Sequence, residues 1–242
     1  TFSKEFTINV FQFEEPPTEI VLEPNVIDLN AKAGDLVGVL RAIDPNAGQD
    51  HIFEFGSWPS EIGDPIIPFG SSWVFLDDGS DQGTEWRGLD FDDTEWKVGV
   101  AELGYGDGRE GAEGTIISYG DSGSSKHITT YFRKKFRVSS AEELLGVKLA
   151  LRKDDGAVVY LNGVEVWRVG MPEGEINYDT LATAGVGGAE ETVFNLKENI
   201  SLELFKEGEN TLAVEVHQVA RTSSDISFDL ELVATIPSDP SD

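Results

Sequence analysis

Residues 154–167, DDGAVVYLNGVEVW, decide the fold. Two runs rich in β-branched and aromatic residues meet at Asn162-Gly163, a dipeptide typical of a two-residue type I′ hairpin turn, because Asn tolerates and Gly readily adopts positive φ. A two-residue turn predicts four cross-strand pairs: Leu161 with Val164, Tyr160 with Glu165, Val159 with Val166, and Val158 with Trp167. One face of the hairpin is then aliphatic and is expected to lie in the core. The other face carries Val158, Tyr160, Glu165 and Trp167, and it is either open as a binding surface or covered by a neighbouring sheet.

The composition restricts the partners of the chain. Its 242 residues carry a formal net charge of −27, from 45 acidic and 18 basic residues. This excess argues against nucleic acid or an anionic membrane as a partner, since both would be repelled. It fits divalent cations, or a salty medium that screens the repulsion. The absence of cysteine excludes disulfides, thiolate metal sites and a cysteine nucleophile.

The sequence divides into four parts. A proline-rich linker at 57–67 separates an N-terminal segment, 1–56, from a main domain, 68–235, and residues 236–242 form a linker-like tail. No apolar run approaches the length that spans a membrane, which predicts no membrane insertion. The chain begins at Thr1, as expected for a mature chain or a piece of a longer one.

The N-terminal segment alternates strand-like runs with turns. Its runs at 17–22, 33–40 and 44–51 follow one another as in a bacterial cadherin-like repeat, which this segment resembles. The resemblance implies the last strand of one repeat in 1–12 and the opening strands of another in 17–56. The family's calcium-ligand pattern is broken here, at Gln12, Glu14 and Leu29. Oxygen-bearing side chains at alternate positions of the closing turn suit either a hard cation or a solvated turn; these are Asp44, Asn46 and Asp50.

The main domain alternates short strands with acidic, glycine-bearing turns. The clearest strands lie at 128–136, 147–152, 210–217 and 226–232, and periodic helical segments are almost lacking. At least eight short strands therefore predict an all-β fold, a two-sheet antiparallel jelly-roll sandwich, preceded by the small cadherin-like β segment.

An ordered set of motifs in this domain carries a family resemblance. The set comprises Asp77-Asp78-Gly79, Phe91-Asp92-Asp93-x-x-Trp96, Leu103-Gly104-Tyr105-Gly106-Asp107, the hairpin run 154–166, the run 210–217 and Asp229-Leu230-Glu231-Leu232. Together they resemble the galactose-binding-like jelly-roll modules of large secreted bacterial proteins, and the sugar-binding domain of β-galactosidase-type enzymes. The resemblance covers about 68–235 and implies a fold that hosts sugar binders, calcium-stabilised adhesion modules and spacers.

Two acidic loops within 77–93 are candidate calcium sites. Carboxylates in glycine-bearing loops suit Ca²⁺, which accepts several oxygens in loose geometry. Asp also stabilises turns by accepting hydrogen bonds from nearby backbone amides, so the same residues have a purely structural interpretation. The candidates are Asp77, Asp78, Asp81, Asp90, Asp92 and Asp93.

Sugar binding needs aromatic rings that stack on sugar C–H faces and planar polar groups that bind hydroxyls. Trp86 and Arg87 lie in a polar loop and are expected to be exposed. Tyr160 and Trp167, with Glu165 beside them, either form a shallow platform or lie beneath a sheet. Further polar candidates are Arg152, Asp154, Asp155 and His217. Their structural alternatives are that the aspartates order the turn, Arg152 pairs with them, and His217 is a satisfied buried histidine.

The sequence favours binding over catalysis. It contains no Gly-x-Ser-x-Gly, no phosphate-binding loop and no zinc pattern. We expect a non-catalytic extracellular or cell-surface module that binds a polysaccharide or surface glycan, with calcium as a structural cofactor. The alternative is a structural or adhesive subunit of a cell-surface assembly, without a sugar ligand, that engages neighbouring domains or subunits through sheet edges and loops.

Overall fold

The computed structural model describes residues 65–106 and 114–235, apart from the side chain of Ala189, together with the backbone of four short strands nearer the N-terminus. The chain forms two compact units, residues 1–59 and 60–242. Among the residues described, no helix is long and apolar enough to cross a membrane.

The described residues of the first unit form two antiparallel strand pairs. Strand β1 (Ile8–Asn9) pairs with β4 (Glu54–Phe55), and β2 (Glu19–Glu23) pairs with β3 (Val39–Ile43). Strand β2 overlaps the predicted run at 17–22, whereas β3 begins only near the end of the run at 33–40. The candidate ligands Asp44, Asn46 and Asp50 lie outside the described residues, so the cation site and the cadherin-like repeat stay predictions.

The second unit is a sandwich of two sheets, which confirms the predicted fold class. The five-stranded sheet has the order β13-β10-β15-β7-β8, and the six-stranded sheet has the order β12-β11-β14-β9-β5-β6. Neighbouring strands are antiparallel except for the pair β7 and β8. The strands are β5 (Ser72–Leu76), β6 (Lys97–Val100), β7 (Leu103–Tyr105), β8 (Thr115–Ile116), β9 (Thr129–Val138), β10 (Gly146–Asp154), β11 (Gly156–Leu161), β12 (Val164–Val169), β13 (Asn195–Lys197), β14 (Gly208–His217) and β15 (Ile226–Thr235).

The core lies between the two sheets, because alternate side chains of each strand point inward. The Phe132 ring stacks on Phe228 with centroids 4.1 Å apart, and Trp73 packs edge-on to Phe228 at 4.9 Å. Such pairs add about 0.5–1.5 kcal/mol each beyond the burial of their surface. Ile67, the last residue of the predicted linker, is fully buried and forms a bridge with Leu232. The core therefore begins before residue 68.

Strands β11 and β12 form the predicted hairpin. Asn162 and Gly163 have φ values of 51° and 90°, as a type I′ turn requires. The two pairs nearest the turn are those predicted from the sequence: Leu161 with Val164, and Tyr160 with Glu165.

The rest of the predicted register is wrong. A β-bulge beside Tyr160 adds one residue, Val166, to β12, so Val159 pairs with Trp167. Because a one-residue slip reverses the face of every later side chain, Trp167 turns toward the core that contains Val159. Trp167 therefore does not share a face with Tyr160, and the predicted Tyr160–Trp167 platform does not form.

The outer face of the six-stranded sheet is covered as well. A second apolar cluster lies there, built from strand residues such as Tyr131, Val158 and Tyr160 and from loop residues such as Trp86 and Met171. Of the two arrangements that the sequence allowed for this face of the hairpin, the covered one is therefore observed, and loops rather than a sheet provide the cover.

Candidate functional site

Three predicted ligand-binding residues meet on the outer face of the six-stranded sheet, but the structure buries the two aromatic ones. Trp86 is 0% and Tyr160 is 3% exposed, and their rings pack edge to face with centroids 5.8 Å apart. The predicted exposure of Trp86 is wrong, because the 3-10 turn Glu85–Arg87 packs onto β14. The Arg87 guanidinium lies 4.3 Å from the centre of the Tyr160 ring. These aromatic faces are therefore occupied by protein.

Glu215 on β14 joins these residues. Its role was not predicted, because a Glu between valines on a strand suggests a solvent-facing position. Its buried carboxylate accepts hydrogen bonds from Tyr160 Oη, at 2.6 Å, and Arg87 Nη2, at 3.2 Å. Burial, and then the Glu215 charge, raise the pKa of Tyr160 well above its ordinary value, so the phenol stays a neutral donor. We call Trp86, Arg87, Tyr160 and Glu215 the sheet-face network.

Arg133 fastens the loop that covers this network. The side chain is 0% exposed; its Nε donates to Asp93 Oδ2 at 2.7 Å, and its Nη1 donates to the carbonyl oxygens of Trp86 and Gly88, the latter at 3.0 Å. Phe91 packs against the same guanidinium. One buried arginine therefore binds three points of the loop 77–96, and this loop forms a fixed cover over the sheet.

His217 holds a second loop in place. Its Nδ1 lies 2.8 Å from the carbonyl oxygen of Thr180 and 3.0 Å from Thr129 Oγ1, and Thr129 Oγ1 donates to the carbonyl oxygen of Tyr178 at 2.7 Å. Its Nε2 lies 3.3 Å from Glu215 Oε2. With 0% exposure, His217 has the structural role that the sequence left open, and it connects the sheet-face network to residues 178–180.

The other hairpin and strand candidates bind elsewhere. Glu165 accepts hydrogen bonds from Arg168 at 2.6 and 2.7 Å, and Arg168 lowers the pKa of Glu165. Arg152 pairs with Glu102 and lies over the Phe194 ring, so it does not pair with the adjacent aspartates. The structure therefore brings Trp86, Arg87, Tyr160 and His217 together. Glu165 lies beside Tyr160 as its cross-strand partner, whereas Arg152 and Trp167 lie apart from the group.

The acidic residues of 77–93 bind separate protein donors. Asp77, which is 2% exposed, accepts from Lys97 Nζ at 2.6 Å and from the Ser118 amide at 2.7 Å. Among the others, Asp78, Asp81 and Asp92 accept the amide of the residue two places later, Asp93 binds Arg133, and Asp90 is exposed. The described part of the chain has no group of three or more His, Asp or Glu that could hold a metal. Calcium at these loops stays a prediction without converging ligands.

Asp155 ties several loops together at one end of the sandwich. We call this region the loop end and define it as residues 117–128, 154–155, 170–187 and 218–225. Asp155 Oδ1 accepts from the Val186 amide at 2.8 Å and Oδ2 from the Val219 amide at 2.7 Å. The next residue, Gly156, has to be glycine, because a Cβ at this position would lie 2.5 Å from Met171 Sδ. Asp155 therefore orders the turn, which is the structural role that the sequence analysis named as the alternative to sugar binding.

The loop end also carries two exposed tyrosines that sequence reasoning missed. Tyr119 is 40% and Tyr178 is 39% exposed. The carbonyl oxygen of Tyr119 accepts from the His127 amide at 3.1 Å, and that of Tyr178 accepts from Thr129 Oγ1. A tyrosine inside the Gly- and Ser-rich run 118–125 is the sequence signal that would have indicated Tyr119.

The ammonium group of Lys126 packs against the Tyr119 ring. Lys126 is 8% exposed, and its Nζ lies 4.8 Å from the Tyr105 ring and 5.1 Å from the Tyr119 ring. The same ammonium group donates to the carbonyl oxygens of Ser223 and Ser224. Tyr119 also packs edge-on to Tyr105, with centroids 5.1 Å apart. This ring is therefore held in one orientation while two-fifths of the residue stays open.

The comparisons with known proteins give a likeness in fold only. No protein-family model matches this chain, and no curated protein matches its sequence. Among solved structures, a Bacteroides uniformis β-glucuronidase is 18% identical with a TM-score of 0.45, over 68% of this chain and 17% of that one. A β-glycosidase from Bacteroides vulgatus is 17% identical with a TM-score of 0.42, over 69% and 20%. A β-glucuronidase from an uncultured Clostridium is 18% identical with a TM-score of 0.43, over 70% and 29%. This chain spans less than a third of these enzymes, and at such TM-scores they assign it no function.

Proposed function

We propose that the second unit is a non-catalytic carbohydrate-binding module whose glycan stacks on Tyr119 and Tyr178 at the loop end. The observation that carries the proposal is the exposure of two tyrosines, at 40% and 39%, in loops whose backbone is fixed. Sugar faces rich in C–H groups stack on such rings, and rigid aromatic residues lose little conformational entropy on binding.

The two rings belong to the same part of the surface. Their carbonyl oxygens are bound by His127 and Thr129, which are two residues apart at the start of β9. Two residues of extended chain span about 7 Å, so the two tyrosine backbones are held close together. Polar groups beside them, such as the exposed Arg221 and Asp179, are of the type that binds sugar hydroxyls.

The negative charge of the chain restricts the class of glycan that we expect it to bind. A net charge of −27 disfavours polyanionic glycans in a medium of low salt, so we expect neutral or amino sugars of a polysaccharide or surface glycan. An extracellular or cell-surface setting fits this ligand class and remains part of the proposal.

The competing function is a subunit of a surface assembly, and exposed apolar edge strands favour it. Val98 and Val100 on the edge strand β6 are 69% and 48% exposed, and Ile116 on the edge strand β8 is 76% exposed. The two edges adjoin, since a Cβ at Gly99 would lie 2.6 Å from the Thr115 side chain. Unpaired apolar edges invite strand addition by another chain.

A glycan array of the whole chain tests both functions. We expect binding by the native chain, a loss of at least about fivefold in affinity for Tyr119→Ala and for Tyr178→Ala, and no change for Val98→Ser, because one stacked ring contributes about 1–3 kcal/mol. No glycan bound, with or without calcium, would refute the carbohydrate proposal. An oligomer that Val98→Ser dissociates, measured by light scattering, would then support the assembly.

A further inference from the structure

Asp154 is a buried carboxylate without a hydrogen-bond donor. The residue is 1% exposed, and neither Oδ1 nor Oδ2 has a hydrogen-bond partner among the described residues. The neighbouring cation, Lys153, donates instead to the carbonyl oxygen of Asp155, at 2.6 Å. A buried and unpaired polar group in a native structure indicates a bound ion or water, since the bare group is strongly destabilising.

Gln218 presents a second oxygen in the same condition. The residue is 0% exposed, and its Nε2 donates to Tyr105 Oη at 3.1 Å and to the carbonyl oxygen of Asp225 at 2.7 Å. These two bonds fix which end of the amide is nitrogen. They leave Oε1 buried and without a donor in the described structure.

The strand register brings these two groups together with a third. Asp154 pairs with Ser227, two residues after Asp225, and the Asp155 amide donates to the carbonyl oxygen of His217, the residue before Gln218. Asp225 is 9% exposed, and its Oδ1 accepts from Ser224 Oγ at 2.6 Å. The three side chains therefore lie near one another, at one position at the base of the loop end.

We propose that this position binds a calcium ion, with Asp154, Gln218 and Asp225 as its protein ligands. Ca²⁺ accepts carboxylate and amide oxygens together, in loose geometry, and completes its shell with carbonyl oxygens or water. Two carboxylates balance its charge. This site is formed whether or not the loop end binds a sugar.

The charges around this position agree with this assignment. The Asp155 carboxyl lies beside Asp154, and Asp225 adds a further negative charge. A divalent cation supplies the missing positive charge and favours the ionised carboxylate. The acidic loop 77–93 lacks such unpaired oxygens, because its buried carboxylate, Asp77, is bound by Lys97 and Ser118.

Calcium titration of the chelator-treated whole chain tests the site. We expect calcium to raise Tm by about 5–10 °C at a concentration about 100 times Kd. Asp154→Asn should weaken calcium binding in calorimetry by more than about 100-fold, since changes outside the ligand shell alone cost 10- to 100-fold. The matched control Asp78→Asn, in the exposed acidic loop, should bind as the native chain does.

Three outcomes would overturn the proposal: no calcium bound by the native chain, equal binding by Asp154→Asn, or loss of binding in Asp78→Asn alone. The first would mean that water fills the position. If Asp154→Asn does not fold, Asp225→Asn replaces it, with the same expectation. Tyr119→Ala must keep the calcium response, which separates failure of this site from failure of the sugar site.

Discussion

The replacement Arg133→Met tests whether a single buried arginine holds the loop 77–96 over the sheet. Methionine keeps the apolar stem against Phe91 but removes the bonds to Asp93 and to the carbonyl oxygens of Trp86 and Gly88. Breaking a buried ion pair costs about 3–5 kcal/mol, and each unpaired buried carbonyl costs about 1–3 kcal/mol. Asp93 is 18% exposed and can be rehydrated, which reduces the first figure. We expect a loss of about 4 kcal/mol in the free energy of unfolding.

Urea denaturation measures this loss, and trypsin digestion under native conditions locates it. Arg87 lies in the covering loop with 15% of its side chain exposed, so release of the loop should accelerate cleavage after Arg87. Lys135→Met is the matched control, because Lys135 lies on the same face of β9 with 45% exposure and binds an exposed Glu209 at 3.4 Å. It should cost about 0.5 kcal/mol or less. Equal losses in the two variants, or unchanged cleavage after Arg87, would refute the role of Arg133.

Two further predictions concern the hairpin turn and the pH dependence of stability. Asn162→Ala should lower the free energy of unfolding in urea by about 3 kcal/mol, because Ala at φ 51° is strained by about 1–2 kcal/mol and the hydrogen bonds to Leu204, Asn210 and Thr211 are lost. The control is Asn199→Ala, at an exposed position with φ 56°, which should show only the strain. An equal loss in the two variants would contradict a role for those hydrogen bonds. Burial raises the pKa of Asp229 above its ordinary value of 3.8, so the folded state keeps this proton longer than the unfolded chain, and the contribution of Asp229 to stability falls as pH rises from about 4 through the folded pKa. The stability of the native chain minus that of Asp229→Asn, measured in urea from pH 4 to 7, should therefore decrease with pH, and a constant or rising difference would show that the sign is wrong.

The hairpin shows which structural features the local sequence predicts and which it does not. Asn162-Gly163 predicted the turn and its first two pairs correctly, because positive φ at both positions is a local requirement. The local sequence did not predict the bulge at Val166, because Val-Glu-Val-Trp alternates acceptably in either register. Packing determines which register forms, since it places the Trp167 ring against the central core. The alternation of apolar and polar residues predicts where the strands lie and that the fold is all-β. The register between strands depends on packing against residues that are distant in the sequence.

The predicted exposure of Trp86 was wrong for a related reason. A mid-strand charge such as Glu215 indicates a solvent-facing residue only if nothing covers that face, and here a loop more than a hundred residues earlier covers it. Trp86 looked exposed because its neighbours are polar, but Arg133 and Glu215 bind those polar groups beneath the loop. The sequence thus singled out Trp86, Arg87 and Tyr160 as separate ligand candidates, but it did not predict that they meet, and it misjudged the exposure of Trp86.

The loop end has a property that the sheet-face network lacks. A binding surface needs groups that are held in place yet remain open, and the sheet-face network satisfies only the first condition. At the loop end, Lys126 binds the carbonyl oxygens of Ser223 and Ser224 and also supports the Tyr119 ring. Asp225, a proposed calcium ligand, follows directly after Ser224. A calcium ion at Asp154 would therefore order the segment that positions Tyr119, without contacting the sugar itself. In these two proposals the buried cation would fix the backbone of the loop end, and the fixed backbone would present the tyrosine rings to the sugar.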